Sequence, residues 1–210
     1  LNRFDYISMR ENRGSEIVKE LTGKRVPTIL DPVFMFDQEG WKQLIPVEKS
    51  VNESYIFAYF LGDNSQHRNT VKKLAEKTGL KIVALRHLDQ YIEEDEKFGD
   101  YTAYDVAPDH FLNLLRGARY VCTDSFHGSC FSIIHKKQFM VFNRYTEKSK
   151  HSKNSRIDTL CHNLGLEDRR FDGKIEAITQ PIDYDTVYKK LNILRDRANT
   201  YLDEAFESVS

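Results

Sequence analysis

Cysteine is scarce in this sequence, with three in 210 residues. Cys122, Cys130 and Cys161 lie far apart and form no CxxC pair, which excludes a disulfide framework and a thiolate metal site. They read as free thiols of a reducing compartment, and the apolar neighbours of Cys122 and Cys130 point to buried packing. An excess of one charge is also missing. The 31 basic and 32 acidic residues leave a formal charge of −1, so general binding to nucleic acid or other polyanions has no basis. Any anion must be met by a local cluster of cations. Long apolar runs are absent too, and none approaches the roughly 20 residues that cross a bilayer. What is present is 40% hydrophobic and 12% aromatic residues, enough for one good core and parts of two domains. The chain starts at Leu1 and meets a strand pattern almost at once, so further sequence is expected upstream.

Two periodicities alternate along the chain. Short apolar runs rich in Val, Ile, Tyr and Phe occupy Tyr6–Met9, Val26–Leu30, Tyr55–Phe60, Lys81–Leu85, Arg119–Thr123 and Gln138–Phe142, as strands buried on both faces require. Between them lie helical patterns. Ile17, Val18 and Leu21 share a face before Gly23, and Val71, Leu74 and Ala75 share one before Gly79; each glycine suits a left-handed helix stop. Pro108 opens a helix that ends near Gly117. From Ile56 to Phe142 the order predicts a Rossmann-like α/β domain, a parallel sheet with helices on both faces. The expected organisation is 1–50 as the end of a preceding domain or a bridge, 51–182 as the Rossmann-like domain, and 183–210 as a long amphipathic helix. In that helix Val187, Leu191, Leu194, Ala198 and Leu202 recur at spacings of four and three, so it should pack back on the fold.

Ligands of open α/β sheets bind beyond the carboxyl ends of the strands. One such corner is unusually polar here: Thr123-Asp124-Ser125-Phe126-His127-Gly128-Ser129, between a strand and a helix. The free N–H groups of the first helical turn, with about half a positive charge, suit an anion. Gly128 would admit a close approach to the backbone, and His127 can carry a proton near neutral pH. Asp124 reads first as the helix cap. The loop Asn143–Arg156 is basic, with Arg144, Lys148, Lys150, Lys153, Arg156 and His151 against only Glu147. Arg144 and Lys148, nearest the strand end, are the better anion ligands, whereas Lys150–Lys153 reads as a solvated face.

These residues resemble the polysaccharide pyruvyltransferase family. The resemblance rests on Ala118–Val121 followed by Thr123–Gly128, on Tyr6–Glu11, on Ile29–Val33 with its Asp31-Pro32 turn, and on Ser155–Asp158 with Leu164-Gly165-Leu166. It runs from about residue 5 to 166 in the family's order. One departure stands out: Ser125-Phe126-His127-Gly128 occurs where the family often carries Arg-Leu-His-Gly.

The resemblance implies a glycosyltransferase-B-like half and an enzyme that moves the pyruvyl group of phosphoenolpyruvate onto a pair of sugar hydroxyls, forming a ketal. His127 would be the general acid and Asp124 a weaker catalytic candidate, with Asp31 as another base. Arg10 would bind the donor carboxylate, while Ser125, Gly128, Ser129, Arg144 and Lys148 would hold its phosphate. No cofactor or metal is implied beyond phosphoenolpyruvate as donor substrate. The expected acceptor is a sugar or lipid-linked oligosaccharide, contacted mainly by upstream sequence. The expected location is the cytoplasm, with peripheral association at the inner face of the membrane through the acceptor. Two other readings share the architecture: a sugar-nucleotide-dependent glycosyltransferase, and a non-catalytic carbohydrate-binding subunit of polysaccharide biosynthesis.

Overall fold

The computed structural model describes residues 1–86, 91–145 and 154–208. Its centre is a sheet of five parallel strands: β1 (Tyr55–Tyr59), β2 (Lys81–Leu85), β3 (Tyr101–Ala103), β4 (Tyr120–Thr123) and β5 (Gln138–Val141), in the spatial order β3-β2-β1-β4-β5. Side chains alternate between the two faces of each strand, and both faces are buried. Tyr55, Phe57, Val121, Phe139 and Val141 enter one core, while Ile56, Ala58, Ile82, Cys122 and Met140 enter the other.

Helices cover both faces, as expected of a Rossmann-like sheet. The first core is closed by α4 (Pro108–Gly117), α5 (Phe126–Ile134), α6 (Ser155–Leu164) and α7 (Tyr184–Glu207). The second is closed by α3 (Ser65–Thr78) and a 3-10 turn at Ile175–Thr179. The long amphipathic C-terminal helix lies where its pattern predicts, burying Val187, Leu191 and Ala198. Among the described residues no helix is long and apolar enough to cross a membrane.

Three expectations need correction. The runs Tyr6–Met9 and Val26–Leu30 are not strands of the sheet; they meet in a single parallel bridge, Met9 to Thr28. After α1 (Asn12–Thr22) the chain turns at Gly23, whose φ of 73° takes the left-handed form. It then reaches a 3-10 turn, Pro32–Met35, and α2 (Gln38–Leu44). Phe34 is fully buried in the main core, so this segment packs against the sheet domain. The second correction is β3, an edge strand of three residues that no apolar run announces. The third is Arg156, which belongs to the first turn of α6 rather than to a loop.

All three cysteines are free and buried, as the apolar neighbours of Cys122 and Cys130 suggest for those two. Burial pushes the Cys161 thiol up to about 12 and the other two up as well, so none is a thiolate at neutral pH.

Candidate active site

Strand order dictates where a site can form. The chain builds β1, β2 and β3 outward in one direction, then returns to lay β4 on the other side of β1. The crevice at the carboxyl ends of β1 and β4 is therefore a topological switch point, where the following loops part. The polar corner after β4 lies there.

Asp124 ends β4 but does not cap α5. Its carboxylate is fully buried and accepts the Leu61 amide at 2.7 Å and the Gly62 amide at 2.9 Å, tying the loop after β1 to β4. Thr123 Oγ1 strengthens the tie by donating to the Tyr59 carbonyl at 2.6 Å. The cap is Ser125, whose Oγ accepts the Gly128 amide at 3.3 Å.

Gly128 is required for packing, since a Cβ there would stand 2.7 Å from Thr123 Oγ1. Its close neighbour is thus a side chain of the fold. Ser129 is wholly buried, and its hydroxyl and amide both donate to the Ser125 carbonyl. The amides of Gly128 and Ser129 are consequently engaged. Those of Phe126 and His127, ahead of them in the first turn, meet no acceptor among the described residues.

Cations gather around this turn from separate parts of the chain. Arg10 Nη1 donates to Asp31 Oδ2 at 2.6 Å, and its guanidinium lies 5.0 Å from the centre of the Phe126 ring. Arg156 stacks over the same ring at 5.4 Å. Burial lowers the Arg156 pKa, and the nearby charges of Arg10 and Arg144 lower it further. Arg144 Nη2 donates to the Asp124 carbonyl at 3.2 Å, and its Nε is buried with no acceptor among the described residues. Asp31 answers Arg10, and Asp124 Oδ1 lies 3.5 Å from Arg144 Nη2, so the donor left over is the Arg144 Nε, which an arriving anion would satisfy.

His127 projects from the first turn of α5 with about half its side chain exposed. Its Nε2 lies 3.7 Å from Asp31 Oδ2, within ion-pair reach but beyond a hydrogen bond. Asp31 itself is buried and caps the turn at Pro32 by accepting the Val33 amide. Burial alone would raise its pKa; His127, Arg10 and the Val33 amide outweigh that and hold it at about 2. Asp31 is therefore an anion at any ordinary pH, and it cannot accept a proton usefully.

The structure thus brings together Arg10, Ser125, His127 and Arg144, with Gly128 behind them and Asp124 and Ser129 sealed beneath. Lys148, Lys150, His151 and Lys153 lie outside the described residues. Arg156 stands in the sequence both as the last charge of the basic loop and within the Ser155–Asp158 motif, and the structure adds its contact with Phe126. Asp31, expected as an alternative base, sits instead at the centre of the Arg10–His127 contacts, which tertiary folding alone creates.

On the other side of His127 a cavity of about 480 Å³ opens at the ends of β1, β2 and β3. Its walls include Tyr59, Arg86, Tyr104 and Phe111, with Ser125 and His127 on one side.

The sequence model of the polysaccharide pyruvyl transferase family matches residues 1–145. Curated proteins offer no match. Among solved structures, the chain is similar to UDP-GlcNAc 2-epimerase from Neisseria meningitidis bound to UDP-GlcNAc, at 11% identity and a TM-score of 0.46, covering 95% of this chain and 55% of that one. The UDP-GlcNAc 2-epimerase of Methanocaldococcus jannaschii is similar at 13% identity and a TM-score of 0.41, covering 75% of this chain and 42% of that one. A glycosyltransferase of kitacinnamycin matches at 14% identity and a TM-score of 0.44, over 76% of this chain and 45% of that one. The chain spans about half the length of these proteins.

Proposed function

The chain belongs to the polysaccharide pyruvyl transferase family, and on that premise we propose that it transfers the pyruvyl group of phosphoenolpyruvate to two hydroxyls of a sugar, giving a pyruvate ketal. The observation that carries this reading is the convergence of Arg10, Arg144 and Arg156 on the first turn of α5, beside a half-exposed His127. A small dianion or trianion with a carboxylate at one end and a phosphate at the other suits such a cluster.

In this reading a first sugar hydroxyl adds to C2 of the enol, and His127 delivers a proton to the methylene carbon, C3. The hydroxyl proton passes to a base or to solvent. The second hydroxyl then displaces phosphate at C2, the C–O bond to phosphorus-bearing oxygen breaks, and phosphate leaves with its electron pair and the remaining proton. Arg10 holds the carboxylate with the free edge of its guanidinium. The Phe126 and His127 amides, with Arg144 and Arg156, stabilise the departing phosphate. Asp31 orients Arg10 and His127, and Asp124 acts as a positioning residue beneath the turn. A lipid-linked acceptor would place the reaction at the inner face of a membrane.

The test is a melting titration with phosphoenolpyruvate and, in parallel, with nucleotide sugars. Phosphoenolpyruvate should raise the melting temperature, and Arg10→Ala should abolish the rise. In turnover assays of the whole protein, His127→Asn should cost about 10² to 10⁴ in rate with the fold retained. A response to a nucleotide sugar alone would replace this reading with glycosyl transfer.

A further inference from the structure

The cavity beside His127 has a composition unlike that of the cationic turn. Tyr59 and Phe111 meet edge to face, their ring centres 5.0 Å apart at 67°. Arg86 lies 4.8 Å from the centre of the Tyr104 ring, and its Nη1 donates to the Tyr104 hydroxyl and to Glu96. The Nε of Arg86 is buried without an acceptor among the described residues. Tyr104 is more than half exposed at the rim. The space, about 480 Å³, lies within the range of small-molecule pockets.

Resting on the proposed pyruvyl transfer, we infer that this cavity holds a pyranose ring of the acceptor, so that the acceptor is gripped by this part of the protein. Three features favour a saturated sugar ring over a flat heterocycle. A nucleobase seeks two parallel walls, whereas the Tyr59 and Phe111 rings here stand edge to face. A pyranose has one apolar face of C–H bonds and a girdle of hydroxyls, which matches an aromatic wall opposed by donors. The unpaired Arg86 Nε gains an acceptor when a sugar oxygen arrives, removing the cost of a buried orphan N–H. Position completes the argument: Ser125 and His127 line the same cavity, so a hydroxyl there lies beside the enol, positioned to attack C2 while His127 protonates C3.

Saturation-transfer NMR tests the assignment, using methyl β-pyranosides of galactose, glucose and mannose as probes on the whole protein. At least one should bind in the millimolar range, and Tyr104→Ala and Arg86→Met should each weaken it by fivefold or more. The exposed position of Tyr104 keeps that variant folded, and its melting shift with phosphoenolpyruvate should be unchanged. Equal pyranoside binding in the variants, no pyranoside binding at all, or binding of uridine in their place would overturn the inference. Loss of the phosphoenolpyruvate shift in the unaltered protein is a separate result, and it would sink the donor assignment while the pyranoside data still report on the cavity.

Discussion

Two arginine–aspartate pairs in this protein share the same parts and differ in one respect. Arg68 donates to Asp95 at 2.7 Å and lies over Phe60 and Phe98; Arg10 donates to Asp31 at 2.6 Å and lies over Phe126. Arg68, however, is 2% exposed and spends further donors on the carbonyls of Gly62 and Asn64, whereas the Arg10 side chain is 36% exposed. The first pair is closed and holds the loop after β1. The second keeps one edge of the guanidinium open to solvent. The two pairs do not differ in chemistry; they differ in the number of donors left over.

Breaking the closed pair should give the largest effect. Arg68→Leu removes the arginine paired with the buried Asp95, and urea unfolding should show a loss of about 3 to 5 kcal/mol. At the open pair, the depressed pKa of Asp31 makes its contribution dependent on pH. The unfolded carboxyl titrates near 3.8 and the folded one at about 2. Its stabilisation of about 2 kcal/mol is thus complete above pH 4 and lost as pH falls towards 2. Asp31→Asn should flatten the fall in melting temperature over that window, and an unchanged slope would show that the pair is not formed. Ser125→Ala removes the cap of α5 and should cost about 1 kcal/mol by denaturant titration. Arg10→Gln should change stability least, by less than about 1 kcal/mol, because Arg10 is partly solvated and Asp31 keeps the Val33 amide and His127 beside it. The same substitution should nonetheless weaken phosphoenolpyruvate at least tenfold by calorimetry. A large stability loss at Arg10 would erase the distinction between the two pairs.

The legible parts of this fold are those written locally. Four of the five strands and helices α3, α4, α5 and α7 follow from apolar runs, glycine stops and Pro108, since each signal acts within one or two turns of the chain. Tyr101–Ala103 escapes because an edge strand of three half-exposed residues needs no apolar pattern. Tyr6–Met9 and Val26–Leu30 carry strand-like composition, yet they stay outside the sheet and meet only in the Met9–Thr28 bridge. The same division holds at the site. The Asp124–Ser129 turn stands out in sequence as a polar junction, although which residue caps the helix depends on where Leu61 and Gly62 fall. Arg156 falls at a boundary the sequence leaves open, last in the basic loop and second in the Ser155–Asp158 motif, and the structure puts it in the first turn of α6. That Arg10 and Arg156 share one phenylalanine ring is a product of tertiary packing and has no local signal.

The C-terminal helix reaches further into this chemistry than its distance in sequence suggests. Tyr188 Oη donates to the Ile134 carbonyl at 2.6 Å, and Tyr184 Oη donates to the carbonyls of Ser132 and Lys137. The Ile134 and Ser132 carbonyls belong to the last turn of α5, whose final carbonyls have no partner within the helix, and Lys137 lies just past it. The segment carrying His127 is therefore splinted at both ends, by a serine in front and by two phenols behind. Shortening the protein before Tyr184 would release the rear splint, and the imidazole's alignment would loosen without any change to a residue in the cleft.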